Sequence, residues 1–309
     1  MKPPPFTYCD PESVDEAVAL KREYGIDALV LAGGQSLIPM LTLRLARPEA
    51  LIDINGIGDL QKIERIERNE RNDRPADGWL EVGAGVRQYE LEDHPLVGEL
   101  VPLLPEAAGH IGHIESRHRG TVGGSLALAD PAAELPCTAV ALDATLLVRG
   151  PSGTRAIEAQ DFFQGRLTTA LEPEEVLVAV RYPVTPRTAA HGFAEVARRV
   201  GDLALAGAAA VVDLGEDGRL TSVSVGVLGI SDRPVRASAV ESALIGEPPT
   251  EDNIARAAEE IVPSVIVPSV TSGDGPHATR AYRRHLAAVV VRRAIGAAVA
   301  RAPERRNAK

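Results

Sequence analysis

The chain has 309 residues, 45% of them apolar and 25% charged, a balance that supports more than one buried core and excludes a disordered protein. Aromatic residues make up only 3% and the net charge is -10, which argues against stacking platforms for single-stranded nucleic acid and against any polyanionic partner. Two cysteines, Cys9 and Cys137, fall short of the set that a typical iron–sulfur cluster or an all-cysteine zinc site needs, so such a centre would sit on another chain.

Ser13 and Glu16 have the spacing of a capping box ahead of Ala17, Val18 and Leu20, which predicts a helix running to about Tyr24 and stopped by Gly25. Ala28-Leu29-Val30-Leu31 then reads as a short strand buried on both faces, ending at Gly33-Gly34. Leu37, Met40, Leu41 and Leu45 suit a helix or irregular turn over 36–46, and Leu51-Ile52-Asp53-Ile54 reads as the next strand. This is a βαβ unit, so its strands should be parallel. Residues 65–78 are almost wholly polar and predict a surface hairpin or loop. Beyond them the pattern predicts a strand over 79–86, a short helix from Tyr89 and an apolar helix near 100–111. A glycine-rich turn over 120–124, a helix over 132–142 and a strand over 144–148 follow, so the second half is expected to echo the first.

The run Arg181-Tyr182-Pro183-Val184-Thr185-Pro186 reads as a Pro-punctuated linker. It divides residues 1–185, themselves split into subdomains at about 1–57 and 58–185, from a domain over 186–309. In the latter, strands are predicted over 192–199, 203–214 and 220–228, the last two joined by Glu216-Asp217-Gly218, which gives a three-stranded antiparallel meander. Helices follow at about 236–244, 251–261 and 279–300, the last carrying Leu286, Val289, Val290 and Arg293 at helical spacing. The fold class is α+β: a two-subdomain α/β region, then a sheet with helices. Residues 276–309 carry a net +8, either a solvated helical face with a frayed tail or a docking surface for an acidic partner chain. No run of about 20 apolar residues and no signal-type apolar stretch is present, so the expectation is a cytoplasmic protein with reduced thiols and no membrane span.

Two glycine pairs stand out as candidate binding loops. Ala32-Gly33-Gly34-Gln35-Ser36 follows a strand, and Thr121-Val122-Gly123-Gly124-Ser125 follows a basic, turn-rich stretch. Glycine lets a ligand lie against the main chain, where amide N–H groups can converge on phosphate oxygens, and Ser36, Thr121 and Ser125 add hydroxyls. A diphosphate held between two such turns has little need of Lys or Arg. Neither pair matches the G-x-G-x-x-G fingerprint or a Walker-type phosphate loop, which sets aside a Rossmann site and P-loop ATP hydrolysis. His110, His113, His118 and Glu115 cluster along the chain, yet Arg117 and Arg119 beside them oppose a cation, and no metal is assigned. Asp130 and Glu134 either form the acidic start of a helix or place Asp130 for a hydrogen bond to a ligand. No arrangement suggests a hydrolase.

The run Ala32-Gly33-Gly34-Gln35-Ser36-Leu37-Ile38-Pro39-Met40, followed by Leu43-Arg44-Leu45-Ala46-Arg47-Pro48-Glu49, resembles the first FAD-diphosphate loop of the flavoprotein (medium) subunits of molybdenum hydroxylases. Carbon monoxide dehydrogenase and the xanthine dehydrogenase family are the namesakes. The stretch Arg119-Gly120-Thr121-Val122-Gly123-Gly124-Ser125, continuing as Ala129-Asp130-Pro131-Ala132-Ala133-Glu134-Leu135-Pro136, resembles the second such loop. Gly201-Asp202, Tyr282-Arg283 and Arg292-Arg293-Ala294 are further echoes, in order along the whole chain.

The resemblance implies an FAD-binding domain of two subdomains (PCMH-type) followed by a C-terminal flavoprotein domain. It assigns FAD contacts to Ala32, Gly33, Gly34, Gln35, Ser36, Thr121, Gly123, Gly124, Ser125 and Asp130, with Leu37 and Val122 as neighbours. It also implies an electron-transfer role, with molybdopterin on a large partner subunit and [2Fe–2S] clusters on a small one. No side chain here need act as a catalytic acid or base. The sequence departs from the family pattern at Gln35 and Leu128, where His is common, at His118 in Arg117-His118-Arg119, and at Leu203, where an aromatic residue commonly stands beside the flavin. A stand-alone FAD-binding protein, its flavin structural or serving a separate oxidation, is the alternative.

Overall fold

The computed structural model describes residues 2–67, 78–265 and 278–302. After strand β1 (Thr7–Cys9), Ser13 caps helix α1 (Val14–Tyr24) by accepting the Glu16 N–H at 3.2 Å. The Glu16 carboxylate does not close the predicted box on Ser13 but accepts the Glu12 N–H at 2.8 Å. Gly25, at φ +57°, ends the helix, and a short 3-10 turn (Gly25–Asp27) leads into β2 (Ala28–Leu31). Helix α2 (Leu37–Thr42) connects to β3 (Ala50–Asp53). The sheet order is β1-β3-β2 with both pairings parallel, as the βαβ reading requires, and β1 is a strand the sequence reading missed. Because β2 lies at the edge, only Ala28 is buried, and the strand is half-covered where burial on both faces was expected.

A 3-10 turn (Gly58–Gln61) and β4 (Ile63–Ile66) open the second layer, and β4 pairs antiparallel with β5 (Trp79–Gly83). Residues 68–77, the centre of the expected polar hairpin, lie outside the described residues. Short helices α3 (Glu90–Asp93), α4 (Pro95–Leu100), α5 (Leu103–Ala108) and α6 (Ile114–Arg119) follow. The expected glycine-rich turn at 120–124 is instead the start of helix α7 (Val122–Leu128), because Thr121 caps it through a 3.0 Å bond from the Gly124 N–H.

Helix α8 (Glu134–Ala141) leads to the hairpin β6 (Thr145–Gly150) and β7 (Gly153–Glu158), then α9 (Ala159–Phe162), β8 (Phe163–Gly165), β9 (Thr168–Thr169) and β10 (Val176–Pro183). The large sheet is ordered β4-β5-β10-β6-β7 and is antiparallel throughout. The second half therefore does not echo the first: hairpins need no crossover helix, and parallel pairing does not recur. Arg181, Tyr182 and Pro183, expected in a linker, finish β10, where Tyr182 is fully buried.

The last region holds β11 (Ala190–Val196), β12 (Ala206–Leu214), β13 (Leu220–Leu228) and the added short strand β14 (Val235–Arg236). The sheet is thus four-stranded where three strands were expected, with the Asp217-Gly218 hairpin in place and Gly218 at φ +75°. Helix α10 (Ser238–Leu244) follows, the expected 251–261 helix breaks into α11 (Glu251–Ala258) and α12 (Ile261–Val265), and α13 (Arg280–Arg301) closes the chain.

Alternation along β12 explains how this sheet is covered. Ala206, Ala208, Ala210 and Val212 share a core with α13, while Ala209, with Phe193 and Leu228, joins the core of the large sheet and α8. Small residues permit both approaches: a Cβ on Gly192 would stand 2.3 Å from the Ala294 carbonyl, and one on Gly226 would stand 2.5 Å from that of Cys137. The basic face of α13 is partly engaged. Arg283 donates to the carbonyls of Leu205 at 2.6 Å and Gly229 at 2.8 Å, and Arg301 pairs with Glu106 at 2.6 Å, while Arg292 and Arg293 are exposed.

Candidate functional site

Parallel pairing brings the carboxyl ends of β2 and β3 to one edge of the first sheet, the side on which open α/β sheets receive ligands. The 32–36 loop leaves β2 there. Gly34 has φ +71°, a left-handed conformation that costs little only without a Cβ. The turn it makes leaves the main-chain N–H groups of residues 33–37 without a protein acceptor among the described residues. The loop's own side-chain contact is weak, Gln35 Nε2 to the Gly33 carbonyl at 3.3 Å, and Gln35 and Ser36 are exposed.

The second glycine pair stands beside the first. A Cβ on Gly33 would meet the Arg119 carbonyl oxygen at 2.3 Å and Gly120 Cα at 2.7 Å, and one on Gly124 would lie 3.6 Å from the Ala32 Cβ. The two loops have different physical roles, however. Val122 and Gly123 donate to the carbonyls of Val86 and Ala84, each at 2.9 Å, Gly124 donates to Thr121 Oγ1, and Ser125 donates to the Thr121 carbonyl at 3.1 Å. The expectation that both pairs offer free amides is corrected accordingly: the second pair spends its amides on capping and packing. Gly123 is there because a Cβ would strike Ala84 at 2.4 Å. What this segment presents is the partly exposed Ser125 hydroxyl and its close approach to Gly33, because Thr121 is buried with its Oγ1 occupied by the cap.

Two side chains that the sequence reading overlooked join the segments. Asn55 follows β3 at the same sheet edge; its Nδ2 donates to the Ala32 carbonyl at 2.9 Å, and its Oδ1 accepts from Arg87 Nη2 at 2.7 Å. Arg87 Nη1 donates to the Arg119 carbonyl at 2.6 Å. Asp53 holds Asn55 through that residue's N–H at 2.9 Å and side-chain amide, and accepts from the Tyr8 hydroxyl at 2.7 Å. Burial alone would push the Asp53 carboxyl up, but bonds from Asn55 and Tyr8 and the Arg87 charge together hold it below the ordinary carboxylate value. Its negative charge in turn raises the Tyr8 phenol to about 12, mainly through their hydrogen bond. A polar residue just past a parallel strand was the available signal for Asn55; nothing local marks Arg87.

Asp130 does not cap α8: its Oδ1 accepts the Ala132 N–H at 2.9 Å in a turn before the helix. Glu134, the first residue of α8, is buried rather than solvated, and burial raises its carboxyl to about 7. The three histidines go separate ways, His118 within α6 and the other two ahead of it. His110 faces Glu195 at 3.5 Å, which holds its pKa above the ordinary value, His113 lies against Gly201, and His118 stacks on Tyr89 at 4.3 Å. Leu203 is exposed, with Val200 near it in sequence also exposed. A separate cavity of about 460 Å³ is lined by Asp15, Lys62, Glu81 and Arg149 among others, and no residue of either loop reaches it.

Residues 4–185 match the family described as "FAD binding domain in molybdopterin dehydrogenase", and residues 191–298 match "CO dehydrogenase flavoprotein C-terminal domain". The chain is 36% identical over 303 residues to the 6-hydroxypseudooxynicotine dehydrogenase complex subunit alpha of Paenarthrobacter nicotinovorans, covering 98% of this chain and 97% of that one. It is 35% identical over 305 residues to the carbon monoxide dehydrogenase medium chain of Afipia carboxidovorans, covering 98% and 99%. Among solved structures, carbon monoxide dehydrogenase from Hydrogenophaga pseudoflava superimposes with a TM-score of 0.89 at 35% identity, covering 98% of this chain and 100% of that one. Quinoline 2-oxidoreductase from Pseudomonas putida gives a TM-score of 0.87 at 35% identity, covering 97% and 99%.

Proposed function

Because this chain belongs to the FAD-binding medium subunits of molybdopterin-dependent dehydrogenases, we propose that it is the electron-transfer flavoprotein of a heteromeric molybdenum hydroxylase. It takes electrons from [2Fe–2S] clusters on a small partner subunit, fed by a molybdopterin centre on a large one, and passes them to an external acceptor. Residues 1–185 form the flavin-holding domain in this reading and 186–309 the C-terminal domain; the location is cytoplasmic.

The observation that carries the reading is the run of open N–H groups at 33–37, opposed by residues 119–120 at backbone contact. Such a row suits an anionic diphosphate, which here is met by main-chain dipoles more than by side-chain charge. Ala32, Gly33, Gly34, Gln35, Ser36 and Leu37 hold the bridge from one side. Ser125 adds a hydroxyl donor from the other, where the buried Thr121, through its cap on Gly124, and Val122, Gly123 and Gly124 set the distance. The Oδ2 of Asp130, which has no hydrogen bond among the described residues, is an acceptor for a flavin or ribityl donor. When bound, FAD supplies chemistry that accepts electrons singly and releases them in pairs.

Two measurements test this. The chain purified with its native partners should show flavin absorbance, bleach when the complex receives its reductant, and co-elute with a large and a small subunit. A chain that takes up no FAD after incubation with it sinks the reading. Full FAD uptake by a chain that co-elutes with no partner favours a free-standing flavoprotein.

A further inference from the structure

The structure assigns a positioning role to Asn55 and Arg87: together they form a clasp that fixes the spacing between the loop at 32–37 and the segment at 119–124, and so determines how tightly FAD is held. The inference rests on the proposed flavin site and names residues outside the loops that build it.

Both orientations in the clasp are determined by chemistry. One end of the Asn55 amide faces the Ala32 carbonyl and the Asp53 carboxylate, which can only accept, so that end is the NH₂ group. The other end faces an Arg87 guanidinium nitrogen, which can only donate, so it is the oxygen. Arg87 then uses its second terminal nitrogen on the Arg119 carbonyl. The clasp therefore ends on two carbonyls that bracket Gly33: that of the preceding residue, Ala32, and that of Arg119, the oxygen a Cβ on Gly33 would strike. It also crosses from the first sheet to the second, since Asn55 follows β3 and Arg87 follows β5.

Both ends have independent anchors. Asp53 holds Asn55 and is itself held by Tyr8. The Arg87 N–H donates to Glu90 Oε1 at 3.0 Å, and the neighbouring Gln88 N–H bonds the Gly120 carbonyl at 2.9 Å. Within the loop, the Gly34 and Ser36 carbonyls accept from the Ile38 and Met40 N–H groups at 3.0 and 3.2 Å and the Gln35 side chain bonds Gly33 at 3.3 Å, while Asn55 holds the Ala32 carbonyl from outside it.

The test titrates FAD into the apo form of the full-length chain, following quenching of flavin fluorescence, for wild type, N55A, R87K and N55A/R87K, with apo unfolding recorded alongside. Each single substitution is expected to weaken FAD roughly ten- to a hundredfold, the worth of a charge-assisted hydrogen bond, and the double variant is expected to weaken it no more than the worse single one. Lysine keeps the charge but cannot fork to both acceptors. If R87K binds FAD like wild type, or the two effects simply add, the clasp is overturned; should N55A fail to fold, R87K decides alone. A wild-type chain that takes up no FAD overturns the flavin reading itself, whereas wild-type uptake with unchanged variants overturns only the clasp.

Discussion

Gly33 lies against the carbonyl oxygen of Arg119, so close that a Cβ built on it would stand 2.3 Å from that oxygen and 2.9 Å from its carbonyl carbon. Both obstructing atoms belong to the backbone, and no rotamer change relieves them. Gly33→Ala should therefore part the two segments, at an overpacking cost of about 1–3 kcal/mol. The expected outcome is a lower flavin-to-protein absorbance ratio together with a lower melting temperature. An alanine variant with full flavin and an unshifted melting curve would show that the two segments are not in contact.

The two glycines that open α7 should behave differently from each other. A Cβ on Gly123 would meet the Ala84 Cβ at 2.4 Å and its Cα at 2.7 Å, backbone and stub atoms that cannot step aside. On Gly124 the obstacle is the Thr121 hydroxyl at 2.7 Å, the tip of a side chain. Gly123→Ala should destabilise the chain by about 1–3 kcal/mol in urea unfolding. Gly124→Ala loses a cap worth about 1 kcal/mol and regains a similar amount of helix propensity, so its midpoint should stay near wild type. Equal effects would count against the packing role given to Gly123.

How much of this was legible in the sequence follows the range of the interactions. The cap at Ser13, the stop at Gly25, the parallel βαβ unit and the Asp217-Gly218 hairpin are local, and each was readable from a few neighbouring residues. The antiparallel large sheet was not, because β10 inserts between β5 and β6 from about a hundred residues beyond β5, and no periodicity records a partner at that distance. The same holds at the site. Gly33 and Gly34 announce a turn after a strand, but that Gly123 and Gly124 spend their amides inside the protein depends on Ala84 and Thr121. Arg87 bonds Arg119 across 32 residues, a contact only the fold creates.

Gly201 couples the C-terminal region to α6 through His113. It has φ +85°, and a Cβ there would meet the imidazole at 2.4–2.7 Å. Gly201→Ala should cost about 1–2 kcal/mol of backbone strain plus whatever is needed to expel the ring. His113→Ala removes the ring and leaves the strain, so the alanine at 201 should cost about 1 kcal/mol less in that background. A double-mutant cycle on thermal or urea unfolding measures this coupling. Strict additivity would mean that the ring yields freely and that strain alone keeps glycine at this position.

The buried carboxyl of Glu134 should make stability fall as pH rises from 4.5 to about 7. Burial raises it from 4.5 to about 7, the nearby Glu195 and Asp130 carboxylates push the same way, and His110 opposes them. Between those two values the folded state keeps a proton that the unfolded chain has already released, so each step up in pH favours unfolding. The full difference is about 3 kcal/mol, spent below pH 7 and constant above it. His110 adds a term of the same sign, because its raised pKa, held up first by Glu195, gives stability that is present at low pH and lost as pH rises through that pKa. Glu134→Gln keeps the shape of the protonated acid without its titration. Its stability should match wild type below pH 4.5 and exceed it above about pH 7, in denaturant melts of the apo chain. Parallel profiles for the two proteins would mean that the Glu134 carboxylate ionises in the folded state as readily as in the unfolded one.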